Sequence, residues 1–315
     1  MINYTECLSA TNPNQTCSSV IRAAGGNLTE SCVCLLDIEL GNTSWEGPVF
    51  MYYGLTNFYQ NHRRYFQSRD DKQLYGQIGG PPSVDCEPFR VNPDTNRFYA
   101  PCGAIANSMF DDRISLRYRE KDSTDWGDVP LLKTGIAWPS DRKYKFRNPD
   151  YARSSDPAQD WKALRKAFED AGLERPKDWK TDIWALDKED PNNNGFLNED
   201  LIVWMRTAIL PNFRKLYRRV DHRKSTPFAN GLPHDKDYQL RIEYNYDVDQ
   251  LKATKQIILA TTTSLGSKNT FLGVAYILVG SISLIVGVVF LFNHLRFGTS
   301  SRHIPDIGPR TPYHG

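Results

Sequence analysis

FLGVAYILVGSISLIVGVVFLF, from Phe271 to Phe292, is twenty-two residues without a charge. At a helical rise of about 1.5 Å per residue it reaches roughly 33 Å, enough to cross the hydrocarbon core of a bilayer. A buried helix in a soluble core seldom runs this far without a polar interruption, so the stretch reads as a transmembrane helix. It divides the chain into a domain over 1–270, the span over 271–292 and a tail over 293–315.

Inside the span, Gly273, Gly280 and Gly287 recur every seven residues, with Ser283 four before Gly287. Small side chains along one face let another helix approach closely in lipid, where packing rather than hydrophobicity drives association. These four residues are the candidate contact with a partner helix, set against the general abundance of glycine in membrane spans.

Orientation does not follow from charge. Lys252, Lys255 and Lys268 precede the span within twenty positions, and Arg296, Arg302 and Arg310 follow it, so the basic residues tie. Covalent chemistry breaks the tie. Asn-X-Ser/Thr sequons at Asn3, Asn14, Asn27 and Asn42 use four of the five asparagines in the first 44 residues, and none of the fifteen later asparagines lies in one. That clustering marks a glycosylated surface. Cys7, Cys17, Cys32, Cys34, Cys86 and Cys102, an even number confined to the first third of the chain, read as a disulfide framework in an oxidising compartment.

A zinc site would use the same residues, but the spacing C-x9-C-x14-C-x-C lacks paired C-x2-C knuckles, and no histidine lies close in sequence. Cys32 and Cys34 lie two apart in the alternating run VCLLDIEL, on one face of a strand, each needing its own partner. A Cys86 to Cys102 bond would close a loop of about fifteen residues and contribute on the order of 3 kcal/mol.

The first 270 residues are therefore expected in the lumen or outside the cell, with the tail cytosolic. The stretch after Met1, MINYTECLSATNPNQ, is polar and resembles no signal peptide. A signal or membrane span is accordingly expected upstream of it in the native protein. With a formal net charge of +2 and 24% charged residues, nothing argues for nucleic acid as a partner.

Cys32–Leu40, Pro48–Tyr53 and Arg113–Arg119 read as strands, while Leu55–Gly76 keeps neither a strand nor a helix period. Asp156 to Gly172 is a marked helix, with Asp156 as N-cap, Pro157 in its first turn, Gln159 completing a capping box, and a stripe of Trp161, Leu164, Phe168 and Ala171. A second helix begins near Asn198. Its expected buried face runs through Leu201, Trp204, Met205, Ala208, Ile209, Phe213, Leu216 and Tyr217, bent or broken at Pro211. Tyr238 to Val248 alternates strictly, and Ile257 to Thr263 is another β-rich run. The fold class expected is a β-rich ectodomain, an antiparallel β-sandwich with short helices, plus one C-terminal transmembrane helix.

Enzyme motifs are scarce. DPNNNGFLNEDL (Asp190 to Leu201) matches a calcium loop at its first, third, fifth and glycine positions but ends on Leu201 where a bidentate Glu is required. A turn feeding a helix N-terminus explains the same residues. Asp247-Val248-Asp249 resembles the DxD of glycosyltransferases, yet it falls in an alternating run with no nucleotide-binding βαβ pattern before it, so two solvated acids are the simpler reading. Arg214, Lys215, Arg218, Arg219, Arg223 and Lys224 form a basic run, read either as a solvated face or as a contact for acidic lipid or protein. No catalytic residue, metal ligand or cofactor site emerges.

Several long blocks are more specific. GPVFMYYGLTNFYQNHRRYFQSRDDKQL (Gly47 to Leu74), APCGAIANSMF (Ala100 to Phe110), GIAW (Gly135 to Trp138), KFRNP (Lys145 to Pro149), NGFLNEDLIVWMRTAILPNFRKLYR (Asn194 to Arg218) and NTFLGVAYILVGSIS (Asn269 to Ser283) resemble, in order, the cell-division-control protein 50 family, also called transmembrane protein 30. The resemblance implies a non-catalytic β-subunit of type-IV P-type ATPases, which flip phospholipid to the cytosolic leaflet; ATP hydrolysis belongs to the α-subunit. It implies a role in letting the pump leave the endoplasmic reticulum, and residence in membranes of the endoplasmic reticulum, Golgi, endosome or cell surface. Matched by cysteine order, it implies the pairs Cys7 with Cys34, Cys17 with Cys32, and Cys86 with Cys102. Family members carry a first span just before the region INYTEC resembles, so that span is expected to be absent from this chain. A lumenal glycosyltransferase and a free-standing adhesion or receptor ectodomain are the competing classes.

Overall fold

The computed structural model describes residues 1–23, 32–41, 43–150, 160–261 and 270–298. The chain divides into two units, Met1–Thr262 and Thr263–Gly315. Thirteen strands are described in the first: β1 (Ile2–Asn3), β2 (Cys32–Ile38), β3 (Trp45–Glu46), β4 (Phe50–Thr56), β5 (Phe98–Tyr99), β6 (Arg113–Glu120), β7 (Gly127–Asp128), β8 (Leu131–Leu132), β9 (Leu173–Glu174), β10 (Phe213–Val220), β11 (Gly231–Leu232), β12 (Lys236–Tyr244) and β13 (Thr254–Ala260). The helices there are short: α1 (Cys17–Ala23), α2 (Arg63–Gln67), α3 (Asp71–Leu74), α4 (Ala104–Asn107), α5 (Pro139–Tyr144), α6 (Asp160–Asp170) and α7 (Glu199–Met205).

Two antiparallel sheets dominate, one ordered β1-β13-β4-β10-β8 and the other β2-β12-β6-β7. In the second sheet the strict alternation of β12 sets the register. Leu240 faces Leu116 and Leu36, Ile242 faces Ile114 and Cys34, and Tyr244 faces Cys32, so inward residues align in rows across three strands. A slip of one residue would turn every one of these side chains outward, which is why the pattern fixes the pairing. Met51, Tyr53 and Leu55 of β4, Tyr217 and Val220 of β10 and Ile257 of β13 are the buried apolar side chains of the first sheet, and both sets belong to one continuous core. The Tyr217 hydroxyl on β10 accepts a hydrogen bond from the Ile114 N–H on β6 at 3.0 Å, joining the sheets through the interior.

Trp204 anchors the aromatic centre of that core. It lies 5.7 Å from the Phe58 ring and 6.1 Å from that of Tyr246, and its indole N–H donates to the Ile105 carbonyl at 2.7 Å. Tyr53 stacks on Phe110 at 4.1 Å. Edge and stacked ring pairs of this kind add to simple area burial.

Two sequence expectations need correction. The helix beginning at Glu199 stops at Met205, and Phe213 to Val220 is a central strand rather than a continuation of that helix. Ile209, expected inside, is 84% exposed, as is its neighbour Leu210 at 66%. Pro211 ends any helical run, and the strand's inward positions, Lys215 and Tyr217, hide the alternation because one is a lysine. In α6, Leu164, Ala167 and Phe168 are buried but Trp161 is 38% exposed, so the stripe is narrower than expected. Gly172 follows that helix at φ +66°, a left-handed terminus glycine adopts freely. Asp156, Pro157 and Gln159 lie outside the described residues.

The second unit contains α8 (Thr270–Phe297), 28 residues, about 42 Å at the helical rise. It extends past the uncharged stretch to take in His294 and Arg296, cations favoured in a last helical turn. Its segment Phe271–Phe297 is long and apolar enough to cross a membrane, and its large apolar side chains are exposed.

Candidate functional site

Three disulfides form: Cys7–Cys34, Cys17–Cys32 and Cys86–Cys102. The alternation of β2 puts Cys32 and Cys34 on its buried face, where α1 brings Cys17 and the N-terminal segment brings Cys7. The sulfurs of Cys7, Cys17 and Cys34 lie within 4.8 Å of one another, but all three are in disulfides and offer no thiolate to a metal. Of the sequon asparagines, Asn3 and Asn14 are exposed. The Asn3 side-chain oxygen accepts from the Thr5 N–H and hydroxyl at 2.9 and 2.8 Å. Asn27 and Asn42 lie outside the described residues.

The polar motifs turn inward to serve the fold. In the calcium-like loop, the Asn193 side-chain oxygen accepts from the Glu199 N–H, that of Asn194 from the Asp187 N–H, and that of Asn198 from the Leu201 N–H. Asn194, at the loop's fifth position, is thus engaged in ordering a turn, the Asp190 carboxylate at its first accepts from the Asn192 N–H, and Asn198 caps α7. Burial would raise the Asp187 pKa, but hydrogen bonds from Asn193 and the Glu189 N–H, with the Lys133 charge, hold it below the ordinary carboxylate value. Buried Glu199 accepts from the Ile136 and Ala137 N–H groups at 2.8 and 2.9 Å and from Arg142 at 2.8 Å.

The basic run is largely engaged as well. Lys215 is buried and donates to the carbonyls of Val203, Trp204 and Arg206 at 3.1, 2.6 and 2.9 Å, closing the negative end of α7. Burial pulls its pKa well down. Arg218 forms a bidentate pair with Asp200, Arg219 donates to the Thr134 carbonyl, and Arg223 pairs with Asp221. Asp247 and Asp249 lie beyond the end of β12, not on a strand as expected. The Asp247 carboxylate accepts from the Asp249 N–H, and Asp249 pairs with Arg22 at 2.5 Å.

Sequence reasoning missed the deepest polar cluster. Lys255 of β13 and Asp112, just before β6, are fully buried and 2.7 Å apart. The Asp112 carboxylate also accepts from the Tyr4 hydroxyl at 2.8 Å and from the Asn245 and Tyr246 N–H groups at 2.6 and 2.7 Å. Lys255 donates to the Tyr246 carbonyl and sits 3.1 Å above the Tyr244 ring. One ion pair thereby ties the N-terminal segment, the end of β12 and β13 together. The only sequence signal was its inward place in the alternation Lys255, Ile257, Leu259.

Beside it, the Asp111 pKa is pushed up to about 7, first by burial and then by the Asp112 charge, against the pull of Lys180 and Lys255. Between its unfolded value, 3.8, and about 7 the folded chain keeps a proton that the unfolded chain has released. The stability this gives is full below the lower value and is lost as pH rises through the upper one. The side chain keeps 36% of its surface, so solvent screens part of the effect. Melting of wild type and Asp111→Asn at pH 5 and pH 8 should show wild type losing more stability towards pH 8; equal losses would count against a raised Asp111.

On α8, Gly273, Gly280 and Gly287 drift only about 20° per heptad around the axis, so they stay on one face, and Ser283 donates back to the Val279 carbonyl at 2.9 Å.

A family profile described as LEM3 (ligand-effect modulator 3) family / CDC50 family matches residues 1–300. The chain is similar to Cell cycle control protein 50A of Mus musculus, 46% identical over 303 residues, covering 95% of this chain and 76% of that protein. It is 41% identical to Cell cycle control protein 50B of Homo sapiens over 283 residues, 89% of this chain and 76% of the human protein. ALA-interacting subunit 3 of Arabidopsis thaliana is 34% identical over 263 residues, 84% of this chain and 64% of that protein.

Proposed function

The chain belongs to the LEM3/CDC50 family, and from that premise we propose that it is the non-catalytic accessory subunit of a type-IV P-type ATPase that moves phospholipid to the cytosolic leaflet. In this reading Met1–Thr262 is a lumenal or extracellular sandwich made by the two sheets, and α8 is its membrane anchor. Gly273, Gly280, Ser283 and Gly287 pack against a helix of the pump. Asn3, Asn14, Asn27 and Asn42 carry sugars, and the three disulfides persist because the domain sits in an oxidising compartment. Catalysis and its cofactors stay with the partner, and the subunit lets the pump leave the endoplasmic reticulum and complete its cycle. The localisation proposed is the secretory pathway and cell surface.

The family match along residues 1–300 is the observation that carries this reading. The engaged carboxylates and asparagines of the enzyme-like motifs are consistent with it. Purification of the tagged chain in mild detergent should bring down a multi-span P-type ATPase in about equal amount. A preparation in which no such ATPase accompanies a folded, disulfide-bonded chain would overturn the proposal.

A further inference from the structure

A cavity of about 480 Å³ opens where the α2–α3 segment, α5 and the end of α7 meet. That volume suits one or two side chains or a small molecule. Its floor is apolar, built from the buried Leu74, Phe146 and Met205. Its rim carries Phe66, Tyr75 and Tyr144, 46%, 41% and 64% exposed. Trp138, 59% exposed, lies beneath the Arg206 guanidinium at 4.7 Å. Three exposed aromatics around one hollow, with Trp138 beside its Arg206, form a patch of the kind that marks an interaction site.

Charge decides the kind of occupant. The rim carboxylates are already held, Asp141 between Lys145 and Arg206 at 2.8 and 2.9 Å, and Asp71 by Arg69 at 3.1 Å. An arginine has five N–H donors and a lysine three, so these cations keep donors for a further carboxylate. The segments 63–75, 138–150 and 205–212 together hold nine Lys or Arg against four Asp or Glu, an excess of five positive charges in a chain whose net charge is +2. Aromatic and arginine side chains around an apolar pocket are the composition of a protein-binding hot spot. Ile209 and Leu210, both exposed, follow three and four residues after Arg206 in the chain.

We propose that this cavity receives an aromatic or aliphatic side chain from an acidic segment of the partner ATPase on the non-cytosolic side, whose flanking carboxylates bind Arg69, Lys145 and Arg206. The proposal rests on the accessory-subunit reading and adds to it the place and chemistry of the contact. To test it, a photo-crosslinking benzoylphenylalanine is placed at Tyr144 or Tyr75 in the full chain expressed with its partner. Irradiation should give adducts that map to an acidic, non-cytosolic segment of the ATPase, and Arg69→Glu with Lys145→Glu should lower ATPase recovery at least tenfold while all three disulfides remain. Adducts only with lipid, adducts with neither, or unchanged recovery in the double variant while wild type still captures the ATPase would overturn the cavity assignment alone. Absence of the ATPase from the wild-type preparation would instead remove the subunit reading on which it stands.

Discussion

Asp112→Ala is expected to cost about 3–5 kcal/mol of stability, because it leaves the Lys255 ammonium buried without its counter-charge. Three further groups lose their acceptor at the same time: the Tyr4 hydroxyl and the N–H groups of Asn245 and Tyr246. Burial already pulls the Lys255 pKa down, with Asp112 the main force raising it again. Without Asp112 the lysine should lose its proton on folding, so part of the cost becomes pH-dependent and shrinks as pH rises. Removing both charges should hurt less than removing one. Asp112→Asn with Lys255→Met keeps an acceptor for the backbone N–H groups and leaves no unpaired charge, and should recover at least 2 kcal/mol relative to Asp112→Ala. Denaturant unfolding followed by fluorescence of the seven tryptophans would read both effects. A single variant within about 1 kcal/mol of wild type would mean that water reaches the pair.

That cluster also explains what could be read from the residues and what could not. The alternations of β6 and β12 were plain because their inward side chains are apolar or aromatic, so both strands were legible, though not their pairing. In β10 and β13 the inward row contains Lys215 and Lys255, and a pattern scored on hydrophobicity sees a polar residue where the fold has a core position. Both lysines are accommodated by specific acceptors, three carbonyls at the end of α7 in one case and Asp112 in the other. Asp112 lies 143 residues from Lys255 in the chain and leaves no trace beside it, and the α7 carbonyls, 9 to 12 residues before Lys215, are backbone groups that no side-chain pattern marks. The β-bulge between Leu216 and Arg218 shifts the alternation again and made a helical face easier to draw than a strand. The rim cations of the α2–α3, α5 and α7 cavity were likewise invisible, since Arg69, Lys145 and Arg206 meet only through tertiary packing. By contrast, the cysteine framework and the apolar span were legible because each rests on covalent chemistry or chain length rather than on packing.

Replacing Cys7 and Cys34 by serine should lower stability by about 3 kcal/mol, since the bond closes a loop of sequence separation 27 and restricts the unfolded chain accordingly. Removing Cys17–Cys32 as well should cost more, though less than twice as much, because its separation of 15 lies inside the same loop. Contacts amplify the loss. The segment these bonds hold carries β1, which pairs with β13 through Ile2 and Asn3, and Tyr4, which donates to Asp112. With the N-terminal segment released, the buried ion pair loses the Tyr4 hydroxyl as a donor and the Tyr4 ring as cover. The four-cysteine variant should therefore bind less ATPase and be held in the endoplasmic reticulum, even though no altered residue touches the cavity between α2–α3, α5 and α7. Labelling with a membrane-impermeant thiol reagent, before and after reduction, checks the premise: the wild-type chain should label only after reduction. Free thiols in the native chain, or a four-cysteine variant that melts with wild type, would show that these bonds do not hold the domain.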